Sequence, residues 1–203
     1  MFTEYEIETL LENEVVKKAT FELKKEFIKN EAPYLEITDQ DFFSLLVMTP
    51  TVGVALANGS VSLWEEMALN KKARKLSKGG YFMKKDPVVF ALKYLIKQYN
   101  NWEDEFLKII RLTMEQTFDI KSLEEDYDSN STVSESEYRK AVLKSPYIFI
   151  RFLSSFFLDE DENIISPRNI SKVDFGRVQS IGNKLGLNKI PLFHYFCSTF
   201  NVK

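Results

Sequence analysis

Apolar residues return every three or four positions along most of the chain, and that spacing predicts helices nearly throughout. Ile7, Leu11, Val15, Ala19, Leu23 and Phe27 recur every four residues, with Leu10 and Ile28 widening the stripe. Residues from about 4 to 30 therefore read as one long amphipathic helix, ended by Pro33. Thr38 or Asp39 caps a second helix that Pro50 breaks or kinks, because a proline inside a helix loses a hydrogen bond and crowds the preceding turn. Asn58 and Gly59 make a turn. Ser62, Leu63, Trp64 and Glu65 have capping-box form and open a helix to about Ser77, closed by Gly79 and Gly80. Asp86 and Pro87 pair an N-cap with the favoured first helical residue, and Val88, Leu92, Leu95, Ile96 and Tyr99 form the stripe that follows. Asn100 and Asn101 read as a break before a further helix from Trp102 to about Phe118.

The pattern changes between Asp119 and Ser136, where acidic and polar residues dominate and a linker or loop is expected. Ser134 and Glu137 repeat the capping-box form and open a helix to about Lys144. Pro146 starts an apolar helix that reaches Leu158, and a second polar loop covers Asp159 to Asn169. Two helices finish the chain, from about Ser171 to Leu185 and from about Asn188 to Phe200, separated by Gly186. Alternating β-branched runs closed by Asn-Gly or Asp-Gly are nearly absent, so strands are not expected. The prediction is an all-α, multi-helix bundle of about eight to ten helices. Its organisation is either one compact domain or two similar helical halves, 1–118 and 137–203, joined by an acidic stretch over 119–136.

The two halves echo each other. LANGSVSLWEEMALNKKARKLSKGG followed by KKDPVVFALKYLI has the same order of features as LDEDENIISPRNISKVDFGRVQSIGNKLGLNKIPLFHYFCSTF. Each has a polar turn, a Ser, a helix, a glycine stop and a Pro-started apolar helix. Ala57, Gly59, Val61, Ser62 and Glu65 in the first segment, and Ile181, Leu185, Gly186 and Leu187 in the second, resemble the TerB-like helical domains. Those domains are associated with tellurite resistance and phage-related stress systems. The resemblance implies a helical fold of that kind. The family's acidic turn residue is Asn58 in the first copy, a departure at a position that a metal site carried over from the family would need.

Composition then narrows the chemistry. The 203 residues include one His and one Cys, so His194 and Cys197 supply two zinc ligands at most and no internal disulfide forms. Ferritin-type di-iron sites, which need two Glu-x-x-His motifs, are excluded as well. Walker A, Gly-x-Gly-x-x-Gly and Gly-x-Ser-x-Gly sequences do not occur, and no cofactor and no catalytic residue is specified. The first residues are acidic where a secretory signal is basic, so a cytoplasmic setting is expected. The two most apolar stretches, Phe42 to Ala57 and Tyr147 to Leu158, fall short of the roughly 18 to 20 residues of a membrane helix and read as buried helices.

Four constellations carry candidate chemistry. Asp159, Asp161 and Asn163 take the first, third and fifth places of an EF-hand, but Ile164 stands where the sharp turn needs Gly and Ile170 where a bidentate Glu is needed. His194 and Cys197 lie three apart on a helix, in aromatic surroundings that raise a thiol pKa rather than lower it. Lys71, Lys72, Arg74, Lys75, Lys78, Lys84 and Lys85 place seven positive charges within fifteen residues of a chain of net charge −3. On a helix Lys71, Arg74, Lys75 and Lys78 share one face, suited to an acidic partner or to phosphates. Acidic counterparts are Glu4, Glu6, Glu8, Glu12 and Glu14, and in the mid-chain stretch Glu124, Glu125, Asp126 and Asp128. Finally, Phe42, Phe43, Phe149, Phe152, Phe156, Phe157, Phe193, Tyr195, Phe196 and Phe200 suffice for a core and leave area for an apolar pocket.

The expected function is a non-enzymatic helical module for protein interaction or regulation, acting through a protein partner or self-association. The alternative is a ligand or nucleic-acid binder that uses the basic helix 71–78 or an aromatic-lined apolar pocket.

Overall fold

In a computed structural model that describes residues 1–79, 86–124, 134–158 and 162–203, the fold is an all-α multi-helix bundle. The described residues hold nine α-helices: α1 (Glu4–Leu11), α2 (Glu14–Glu31), α3 (Asp39–Ala55), α4 (Leu63–Leu76), α5 (Pro87–Thr117), α6 (Glu135–Lys144), α7 (Tyr147–Phe157), α8 (Lys172–Lys184) and α9 (Pro191–Ser198).

The middle of the bundle is α3, because its residues are apolar around the whole helix. It accordingly packs against α5, α7, α4, α8, α2 and α1. Its few buried polar groups are used to fasten neighbours. Asp41 accepts the backbone N–H of Lys78 at 2.9 Å, and Ser44 donates to the Leu76 carbonyl at 2.7 Å, so the C-terminal end of α4 is tied to the first turns of α3. The helix continues through Pro50, which is itself buried.

Capping chemistry fixes most boundaries as expected. Thr3, Ser62 and Ser134 form full capping boxes with Glu6, Glu65 and Glu137, and Asp86 accepts the N–H groups of Val88 and Val89 ahead of Pro87. Gly186 stands at φ +77 after α8, the left-handed value that glycine adopts without a steric penalty.

Three boundaries differ from the sequence reading. The expected helix over residues 4 to 30 is broken at Asn13, whose side chain accepts the N–H groups of Val15 and Val16 and so starts α2 afresh. The expected break at Asn100 and Asn101 is instead a kink at Gln98 (φ −114, ψ 19), and α5 runs on through it. The last helix stops at Ser198 rather than Phe200. Phe200–Val202 forms a short strand β2, parallel to β1 (Arg168–Ile170), with Arg168 opposite Phe200.

A buried aromatic cluster fills the centre. Phe27 meets Phe42, Trp102 and Phe106 at centroid distances of 5.7, 5.2 and 5.4 Å, and Phe152 contacts Phe2 and Phe156. Among the described residues no helix is long and apolar enough to cross a membrane.

Candidate functional site

Where α3, α4 and α7 meet, a partly enclosed cleft of about 460 Å³ opens on the surface. Thr51, Val54 and Ala55 come from the last turns of α3. Glu65, Ala68, Leu69, Lys71, Lys72 and Lys75 come from α4, and Phe156, Phe157 and Leu158 from the end of α7. Met1 and Glu162 complete the lining. Two features considered separately in the sequence, the basic helix and the aromatic surplus, therefore line one cavity.

Lys72 is the least expected member. It falls in step with Leu69, Ala73 and Leu76, the buried side of α4, and is only 8% exposed. Its ammonium donates to Thr51 Oγ1 at 2.7 Å and lies 3.5 Å from the Leu158 carbonyl. Thr51 in turn donates toward the carbonyls of Phe156 (3.0 Å) and Ser155 (3.3 Å). The last carbonyls of a helix lack partners within it and form its negative end, so the hydroxyl and the cation both settle the C-terminus of α7.

Further positive charge lies close by. Arg151 of α7 forms a bidentate pair with Glu6, its Nε and Nη2 at 2.8 and 2.7 Å from the two carboxylate oxygens, and Nη2 also donates to the Met1 carbonyl. Burial, with Arg151 and Lys72 nearby, pushes the Met1 α-amino group down to about 6. Burial would raise the Glu6 carboxyl, but the bonds from Arg151 and Thr3 outweigh it and hold the group below the ordinary carboxylate range. Among the described lining residues are three lysines and two glutamates, and Glu65 Oε2 is committed to the Ser62 N–H and hydroxyl at 2.7 and 2.6 Å. The described lining is thus apolar with three lysines along one side.

The other sequence candidates lie partly in the cleft and partly elsewhere. Lys71, Arg74 and Lys75 are exposed on α4, but the helix ends at Leu76 and Lys78 lies beyond its C-cap, so the expected four-residue helical face contains three. Lys84, Lys85, Asp159, Asp161, Glu125, Asp126 and Asp128 lie outside the described residues. Asn163 accepts the Ile165 N–H and Ile170 is in β1, so both have local structural roles. Cys197 is buried on α9, and burial pushes its thiol up to about 12, the opposite of what a nucleophile requires. Glu6 faces Arg151, while Glu4, Glu8, Glu12, Glu14 and Glu124 are exposed. Of the aromatic residues singled out in the sequence, Phe156 and Phe157 reach the cleft and most others fill the core.

The residues that carry the TerB-like resemblance have local roles too. Ser62 and Glu65 cap α4, Gly59 stands at φ +88, and Ile181, Leu185 and Leu187 are buried. Asn58 donates to Asp174 at 3.3 Å, joining the turn before α4 to the first turn of α8. Among the described residues no group of three or more His, Cys, Asp or Glu side chains is arranged to hold a metal ion.

A second ionic cluster is structural in character. Glu103 of α5, only 6% exposed, meets Arg177 and Lys184 of α8 at 3.0 Å each, and Lys184 also reaches Asp104 at 2.7 Å. Arg177 donates to the Gly53 carbonyl at 3.2 Å and covers the Tyr99 ring, and Tyr99 donates to the Thr49 carbonyl at 3.1 Å. These contacts fasten α8 to α3 and α5 just past the kink at Gln98. No protein-family model, curated protein or solved structure matches the chain.

Proposed function

We propose that the protein is a binding module, without catalysis, whose α3–α4–α7 cleft takes a ligand with an apolar body and an anionic group. The observation that carries this reading is the position of Lys72. A buried ammonium hydrogen-bonded to Thr51 stands in a cavity whose other walls are Val54, Ala55, Leu69 and Phe157, with Lys71 and Lys75 beside it. Apolar walls gain from covering hydrocarbon, and a few placed polar groups set orientation, the usual division of labour in a ligand site. An anionic group meets the cationic side, where a charge-assisted hydrogen bond is stronger than a neutral one. A regulatory or interaction role follows if the ligand is presented by a partner, since an acidic end and an apolar body have the same chemistry in a small molecule or at a peptide terminus.

Dodecanoate is a suitable probe, with dodecanol and acetate as its two halves. Calorimetric titration is expected to show saturable one-site binding of dodecanoate and much weaker binding of the other two. Lys72→Met weakens dodecanoate by about tenfold or more, the worth of one hydrogen bond to a charged group. Val54→Trp, which fills the cleft, abolishes it. Equal affinity for dodecanoate and dodecanol, or undiminished binding by a folded Lys72→Met variant, overturns the reading.

A further inference from the structure

Leu63, Trp64 and Met67 are 69%, 77% and 55% exposed, a cluster of large apolar side chains over the first two turns of α4. Trp64, Met67, Lys71, Arg74 and Lys75 succeed one another at steps of three, four or one, so they form one stripe along the outer side of the helix. The stripe is divided along its length: apolar in the first two turns, cationic in the last two. Of the helix's own carboxylates, Glu65 is held in the Ser62 capping box and Glu66 lies on another side by its position, while Glu162 from outside the helix shares the cleft lining with Lys71 and Lys75. Lys71 and Lys75 also line the cleft, so the stripe runs beside it.

We propose that the outer face of α4 docks on an anionic lipid surface, with Leu63, Trp64 and Met67 entering the headgroup region and Lys71, Arg74 and Lys75 lying against the lipid phosphates. Trp favours the boundary between water and hydrocarbon, and cations on an amphipathic helix are drawn to anionic headgroups. Charge complementarity decides among the possible occupants. A second copy using the same face would set cations against cations in a parallel arrangement, and the apolar end against the cationic end in an antiparallel one. A nucleic acid would engage the cations and leave three large apolar side chains in water. A lipid surface accommodates both parts at once and needs no groove.

Docking requires nothing in the cleft, so it stands or falls independently of the ligand reading. The test is flotation of the whole protein with vesicles of phosphatidylcholine alone or mixed with phosphatidylglycerol, together with tryptophan fluorescence. Trp102 is buried and donates to Glu31, so a vesicle-dependent blue shift reports Trp64. The expected result is co-flotation with the phosphatidylglycerol vesicles only, weakening with salt. Leu63→Ser with Trp64→Ser and Met67→Ser abolishes it, Arg74→Glu with Lys75→Glu lowers it roughly tenfold or more, and Lys72→Met leaves it unchanged. All three substituted apolar sites are exposed, and an unchanged melting temperature confirms that the variants fold. Absence of co-flotation at low salt, or its survival in the Ser variant, overturns the proposal. So does a dimer in solution that dissociates in that variant, which would make a second copy the occupant.

Discussion

Lys72 on α4 and Thr51 on α3 form a 2.7 Å hydrogen bond at the point where α7 ends, so one side-chain pair joins three helices and supplies the cationic side of the cleft. Thr51→Val removes one acceptor of a buried ammonium and the donor to the Phe156 carbonyl, and should lower stability by about 1–3 kcal/mol. Lys72→Met removes the charge itself. Because the two residues share one interaction, the double variant should lose less than the sum of the singles. Urea denaturation of the four proteins measures the cycle, and strict additivity would show that the pair is not coupled.

Gly182 and Gly176 lie on the same helix and should respond oppositely to alanine. A Cβ on Gly182 would stand 2.2 Å from Phe193 Cζ, so Gly182→Ala forces the buried Phe193 ring, or the helix that carries it, to shift and should destabilise by about 1–3 kcal/mol. Nothing lies within 4 Å of a Cβ at Gly176, and Gly176→Ala should stabilise by about 0.5–1 kcal/mol through helix propensity. Thermal melting of both variants checks the packing of α8 against α9.

The Glu6–Arg151 pair fastens α1 to α7 beside the cleft, and its contribution depends on pH in a defined direction. The folded-state pKa of Glu6 is depressed, so its stabilisation is complete above the unfolded carboxylate pKa, about 4.3, and is lost as pH falls through the lower folded value. Glu6→Gln should cost about 1–3 kcal/mol at neutral pH. The gap between variant and parent should close as the solution is acidified below about pH 4. A gap that stays constant from neutral to acid pH would show that the charge of Glu6 contributes nothing.

Cys197 is 8% exposed, and burial pushes its thiol up to about 12. In the folded protein a thiol-disulfide reagent at about pH 8 should label it only as fast as the chain opens, with full labelling in denaturant. Rapid labelling of the folded state would contradict the burial of this thiol.

Elements defined by local chemistry were legible in the sequence. Ser62 with Glu65, Ser134 with Glu137 and Asp86 with Pro87 start helices where their side chains dictate. Helices α4 and α8 are both capped by serine, and each is followed by a glycine at positive φ, Gly79 and Gly186. What escaped the sequence depends on tertiary partners. Asn13 looks like one polar position in a long helix until its side chain takes two N–H groups, and the strand at Phe200–Val202 exists only because Arg168–Ile170 lies beside it. The cleft was half legible. Its lysines and phenylalanines stood out as types, but Lys72 was grouped only with the run of positive charges, although its step with Leu69, Ala73 and Leu76 is the signal that could have marked it as buried. Nothing in the sequence placed Thr51, about twenty residues earlier, against it, because that contact depends on how α3 and α4 pack.

Whether the α3–α4–α7 cleft receives an amphipathic anion is tested most directly by methyl NMR of the Ile, Leu and Val side chains during a dodecanoate titration. Saturable shifts are expected at Val54 and Leu69, with Leu158 following, while Leu23 and Ile109 in the groove between α2 and α5 stay in place. Shifts centred on Leu23 and Ile109, or none at Val54 and Leu69 at saturating dodecanoate, would contradict it.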